Sequence, residues 1–178
     1  IDDRGGIQDV QITAGPVTIS GVADFALERR TVDVDTDGNG SGDLIGATLD
    51  AVALTVTNAS VAVSGVATLT VSGQLALARV SFIGVVEYTA LKMGAVTVSA
   101  STASAADFGL TGTLTVSRLD YNGAASGARL NWAAAFDLDE DGQHDDVLDQ
   151  SAALGLAPGT LAIGFGAGLE FALSGSAT

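Results

Sequence analysis

The chain of 178 residues is 47% apolar and 16% charged, with 23 glycines, aromatics at 5% and no cysteine. That composition is too hydrophobic for a disordered chain; it excludes disulfide stapling and thiolate chemistry, and it requires a core built mostly from Val, Leu and Ala. A net charge of −14 repels phosphate backbones and argues against nucleic acid as a partner, while Gly, Ser, Thr or Asp breaks every apolar stretch before the roughly 18 residues of a membrane span.

The chain opens on Ile1 rather than Met, without a basic and apolar leader, so a processed product or a piece of a longer chain is expected. Pro16 precedes the first clear alternation: Val17, Ile19, Ala23, Phe25 and Leu27 share one parity, with Thr18, Ser20, Asp24 and Glu28 on the other. A half-buried strand is predicted there. Val61 to Leu77 repeats the pattern through Val61, Val63, Ala67, Leu69, Val71, Leu75 and Leu77. Seventeen residues would extend about 56 Å, too long for an ordinary strand, so Gly65 and Gly73 are expected to mark turns, bulges or bends. Further strands are predicted over Ala95–Ala100, Leu110–Ser117, Leu130–Leu138 and Leu161–Leu173. In the last of these Gly164, Gly166 and Gly168 leave one face bare for a close backbone approach. Helical periodicity is weak everywhere; Ala103–Phe108 and Asp149–Leu154 are each expected to form a short helical turn.

An internal repeat joins these segments. Val17-Thr18-Ile19-Ser20-Gly21, Leu69-Thr70-Val71-Ser72-Gly73, Leu114-Thr115-Val116-Ser117-Arg118 and Phe171-Ala172-Leu173-Ser174-Gly175 follow one pattern at spacings of 52, 45 and 57 residues. Acidic loops follow the first and third copies, starting at Asp33 and Asp137, 104 residues apart. A single module over 1–178 is expected, made of two similar units at about 10–100 and 101–178.

The first loop runs Asp33-Val34-Asp35-Thr36-Asp37-Gly38-Asn39-Gly40-Ser41-Gly42-Asp43, the second Asp137-Leu138-Asp139-Glu140-Asp141-Gly142-Gln143-His144-Asp145-Asp146, with Asp149 close behind. Together they hold eleven of the 21 acids, a crowding that like-charge repulsion opposes unless a hard divalent cation draws the oxygens inward. The glycine permits the sharp turn, and the next residue, Asn39 or Gln143, offers its backbone carbonyl. The metal ligands expected are Asp33, Asp35, Asp37, Asn39 and Asp43 in one loop, and Asp137, Asp139, Asp141, Gln143, Asp145 and Asp146 in the other. Zinc is disfavoured by the absence of Cys and the single His144, itself expected to be an exposed loop residue; magnesium, which keeps its waters, fits less well than calcium.

Asp-x-Asp-x-Asp-Gly resembles the calcium loop of EF-hands, dockerins and thrombospondin-type repeats over about 10 residues at each place, which implies two Ca2+ sites. Position twelve, a bidentate Glu in an EF-hand, is Leu44 or Leu148 here, so Asp43 and one of Asp145, Asp146 or Asp149 must close the shell. Flanking residues Val32–Val34 and Trp132–Leu138 look like strands, so the loop chemistry carries over without the helix-loop-helix fold. Strand repeats of the type Val-Thr-Ile-Ser-Gly-x-x-x-Phe-Ala-Leu, in an Ala, Gly, Thr and Val background with a single Lys, are similar to the long repetitive surface and secreted proteins of bacteria, the giant adhesin-like chains.

Catalysis has little to build on. No second His accompanies His144, the acids outside the loops are scattered singly, and Lys92 has no glycine-rich phosphate cradle. Trp132 reads as core, and Asn58-Ala59-Ser60 is a glycosylation match of a kind common by chance. The expectation is a non-enzymatic, all-β protein: an elongated repeat or solenoid, or a sandwich of antiparallel strands with two calcium-loop insertions. It would be extracellular or on the bacterial surface, self-associating into a filament or array. The alternative is a calcium-dependent, lectin-like domain for cell-surface glycans; a polysaccharide-processing β-helix enzyme ranks last.

Overall fold

The computed structural model describes residues 9–14, 17–63, 67–100 and 114–177. Seven strands share one antiparallel sheet in the order β1 (Asp9–Ala14), β2 (Val17–Val34), β3 (Leu44–Val63), β4 (Ala67–Phe82), β5 (Val85–Ala100), β6 (Leu114–Ala124) and β9 (Phe171–Ala177). β7 (Leu148–Asp149) and β8 (Ala162–Ile163) form a small ribbon inside a 125–170 excursion that separates β6 from β9. The expected all-β class is present, and the described strands follow one another as a hydrogen-bonded meander rather than as coils of a solenoid.

Strands of 18 and 20 residues keep their register only by absorbing twist at bulges. Shifts fall between Ser20 and Val22, Val56 and Ala59, Gly73 and Leu75, and Val116 and Arg118. The repeated Ser-Gly ends therefore mark bulges in β2 and β4. At Gly21 a Cβ would come within 2.9 Å of the Ala59 backbone, so the neighbouring strand forbids any side chain. Three copies of the repeat lie on β2, β4 and β6, alternate strands that run in the same direction; the fourth, on β9, runs the opposite way. Gly65, Ala103–Phe108 and residues 110–113 of the predicted Leu110–Ser117 strand lie outside the described residues.

Register places two cross-strand rows on one face: Ala51, Ala78, Ala90 and Asn122, then Ala53, Ala76, Lys92 and Asp120. Alanine leaves room above the sheet, and the excursion fills it with Leu130, Trp132, Phe136, Leu148, Leu161 and Ile163, all buried. Trp132 and Phe136 meet at 5.6 Å between ring centroids, tilted by 50°. The indole N–H of Trp132 donates to Asn122 Oδ1 at 3.0 Å, and Asn122 Nδ2 donates to the Leu130 carbonyl at 2.9 Å. The opposite face carries its own buried ladder, Leu54 with Leu75 and Met93, and Leu77 with Leu91.

Two predicted strands are corrected. Leu130–Leu138 is a chain of turns with one isolated bridge at Phe136; its side chains alternate because Leu130, Trp132 and Phe136 wedge onto the alanine floor, not because the backbone pairs along its length. Leu161–Leu173 is strand only at Ala162–Ile163 and again from Phe171, with irregular chain through Gly164 and Gly166 and a turn at Ala167–Gly168. The turn expected at Asp149–Leu154 is a single 3-10 turn at Ser151–Leu154. Trp132→Ala should cost about 3–5 kcal/mol of unfolding free energy through the cavity it leaves. Trp132→Phe should cost about 1–3 kcal/mol by stranding Asn122 Oδ1, and denaturant titration measures both.

Candidate metal centre

The Asp-rich segments sit side by side. The first, residues 35–43, links β2 to β3; the second lies in the excursion and is tied to the first by an antiparallel bridge between Val34 and Phe136 and by an Asp35 N–H that donates to the Ala135 carbonyl at 3.0 Å. Each bridge residue closes its own loop. Val34 accepts from the Asp43 N–H at 2.8 Å, and Phe136 accepts from the Asp146 N–H at 3.1 Å.

Inside the loops, equivalent hydrogen bonds recur. Asp35 accepts from the Asp37 N–H and Gly38 N–H on Oδ1, at 3.1 and 2.6 Å, and from the Gly40 N–H on Oδ2 at 2.6 Å. Asp137 accepts from the Asp141 N–H at 3.0 Å and the Gly142 N–H at 2.9 Å. Asp37 caps Asn39 as Asp139 caps Asp141, and the carboxamide of Asn39 accepts from Ser41 as the Asp141 carboxylate accepts from Gln143. Asp43 reaches back to the N–H and hydroxyl of Thr36, and Asp146 to the N–H groups of Leu138 and Asp139. Backbone φ agrees as well, +78° and +83° at Gly38 and Gly40 against +64° and +88° at Glu140 and Gly142.

These bonds correct the loop alignment. Asp35 is the partner of Asp137, Asp37 of Asp139, Asn39 of Asp141 and Asp43 of Asp146, so matching Asp33 to Asp137 is out of register by two residues. Alternating aspartates look alike after a two-residue slip, and these bonds, with the positive φ of Gly38 and Gly40 against Glu140 and Gly142, fix the frame.

Two clusters of three aspartates result, each able to hold a metal ion: Asp35, Asp37 and Asp43, and Asp137, Asp139 and Asp146. Within each, one carboxylate oxygen per residue lies within 4.8 Å of the others. Oxygens about 2.3–2.6 Å from a common Ca2+ are separated by at most about twice that distance, so the spacing suits one shared ion. Asn39, Asp141, Gln143 and Asp145 stand outside the carboxylate clusters, though Asn39 and Asp141 occupy equivalent places beside them. Asp33 turns away, accepting from the Gly46 N–H at 2.8 Å, and with Asp137, Glu140 and His144 it lines a cleft of about 260 Å³ between the loops. His144, expected to be exposed, is half-buried there with both ring nitrogens inaccessible and without hydrogen-bond partners among the described residues.

Electrostatics divide the two clusters. Burial opposes the charged form of Asp35, but N–H groups of Gly40, Gly38, Asp37 and Asn39 outweigh it and hold the carboxyl below its ordinary value. Asp43 is held low mainly by the Thr36 hydroxyl and N–H. The Asp141 N–H pulls Asp139 down, yet desolvation and the charges of Asp141, Asp146 and Asp137 together push it up. Comparison of the chain with protein-family models, with curated proteins and with solved structures found no match in any of the three.

The signs of these shifts set a pH dependence for the metal-free protein. Lowered groups such as Asp35, Asp43, Asp50 beside Arg29, and Asp149 stabilise the fold above the ordinary aspartate value of about 3.9, and that stability is lost as pH falls through their lower folded values. Asp139, raised, works the other way, since its protonation relieves repulsion. Melting midpoints in chelator should therefore hold nearly level from neutral pH to about 5 and fall only below about 4.

Proposed function

We propose that the chain is a calcium-stabilised structural β module of a bacterial surface fibre, surface layer or adhesin stalk. The observation that carries the reading is the duplication: two loops that share several of their hydrogen bonds hold two equivalent aspartate triads, joined back to back at Val34 and Phe136. Decorative acidic turns have no reason to share that detail. An all-oxygen donor set suits a hard cation, and Ca2+ accepts the irregular shell that three carboxylates, loop carbonyls and water would supply.

The mechanism is linkage. An ion that binds the folded loops far better than the unfolded chain adds RT ln(1 + [L]/Kd), about 2.7 kcal/mol per site at 100 times Kd. Free calcium is high outside cells and low inside, so the module would stiffen on export. Two ions would also bring the net charge from −14 to about −10 and ease repulsion between neighbouring copies. A route for association would be the sheet edges: beyond Val22, the partner of Asp9, no strand among the described residues pairs with the outer edge of β2, nor with the outer edge of β9.

Thermal melts should rise by several degrees in millimolar Ca2+ over chelator, and identical midpoints would reject the metal reading. Calorimetry should count two ions in the parent, one in Asp35→Asn or Asp137→Asn, and two in Asp33→Asn or Asp145→Asn. Light scattering should show association growing with protein concentration in calcium; a monomer at all concentrations would remove the filament from the proposal and leave the metal sites standing.

A further inference from the structure

We propose that the seam between β5, β6 and the excursion is a binding pocket for a small organic monocarboxylate. Lys92, the chain's one lysine, pairs in register with Asp120, and Arg118 lies two residues along β6. Asp120 is fully buried, with Lys92 Nζ 3.3 Å from Oδ1 and the Arg118 guanidinium Nε donating to Oδ2. These three residues line an open groove of about 350 Å³ whose remaining wall includes Val147, Ala162 and Phe165.

Burial of the carboxylate distinguishes this place from the other ion pairs described. Glu28 with Arg30 and Glu170 with Arg129 are exposed, and Asp50, which Arg29 binds and Arg79 faces across the sheet, keeps part of its side chain in solvent. Here two cations share one carboxylate, which leaves a local surplus of one positive charge in a chain of net charge −14. Donors are also left over. Among the described residues, Arg118 places only its Nε on an acceptor, and the Lys92 ammonium, though close to Asp120 Oδ1, makes no hydrogen bond; that oxygen itself accepts none. A guanidinium edge and an ammonium converging on one opening match the two oxygens of a carboxylate.

The surplus sets the ligand class. A monoanion neutralises it, whereas a dianion would face Asp120 and the chain's overall charge. Carbon in the wall favours an anion with an apolar body, and the volume admits a single sugar-acid ring or an acylated amino acid. Both present the same carboxylate. The site is separate from the aspartate loops and does not depend on their occupancy.

A single lysine makes the test direct, because a lysine-selective 13Cε label gives one NMR signal for Lys92. The probes are galacturonate, N-acetylalanine, neutral galactose and sulfate, titrated into the calcium-loaded full chain. A saturable shift with either carboxylate and none with galactose supports the pocket, and the tighter of the two identifies the source of the carboxylate. Arg118→Gln should weaken that binding about tenfold, while Asp120→Asn, which removes the internal competitor, should tighten it by a similar factor. Should Asp120→Asn fail to fold, Arg118→Gln decides alone, its fold verified by a thermal melt unchanged from the parent's. No saturable shift with either carboxylate, an equal response to galactose, or tighter binding of sulfate than of both carboxylates would overturn the proposal.

Discussion

The contact on which the rest of the molecule depends is the descent of Trp132 and Phe136 onto a floor of alanines. Ala51, Ala78 and Ala90 keep the sheet surface low enough for two aromatic rings to lie against it, and Asn122 ends their row with the one polar group the indole N–H requires. Larger residues in that row would lift the excursion. Once Phe136 is seated, its backbone meets Val34, and that bridge, with the Asp35 N–H donating to the Ala135 carbonyl, holds the second acidic loop alongside the first. Burial of about two aromatic side chains thus decides the geometry of a site that contains neither of them.

Legibility in the sequence follows the range of the interaction. Alternation over Val17–Leu27 and around Leu69–Leu77 reports a local period, so those strands could be read directly. The pattern at Leu130–Leu138 has the same appearance and a different cause, because a wedge of turns can bury every second side chain without pairing as a strand. The start of β3 carries the same period, Ala47, Leu49 and Ala51 buried against Thr48 and Asp50, but it follows the acidic loop directly; in β5 the period is blurred, because Ala90 and Leu91 are buried on opposite faces while Glu87, Thr89 and Lys92 are spread over both.

At the acidic loops the residue types were legible and their frame was not. Aspartates at 33, 35 and 37 present the same spacing whichever is taken first. Left-handed backbone at positions 38, 40, 140 and 142 resolves the frame, and one of those four positions is held by Glu140, a residue that gives no hint of positive φ. Lys92 and Asp120 were invisible for another reason. Their partnership is a matter of strand register between β5 and β6, and no local pattern encodes which residue of one strand faces which residue of the next.

Charge is handled in opposite ways at the two ends of this face. In the loops, carboxylates are packed against one another and accept from backbone N–H groups; at Asp35 those donors outweigh burial, and at Asp139 they do not suffice against desolvation and the neighbouring charges. On the β5–β6 row a single carboxylate is buried beneath two cations, and the positive groups are the ones left facing outward. Backbone donors explain the difference. A turn offers several N–H groups to each aspartate, whereas a paired strand has already committed its own to the ladder, so Asp120 can be neutralised only by side chains from its own and the neighbouring strand. Because those side chains are long and carry more donors than one carboxylate can accept, a buried acid in the middle of a sheet leaves cationic hydrogen-bonding capacity on the surface above it.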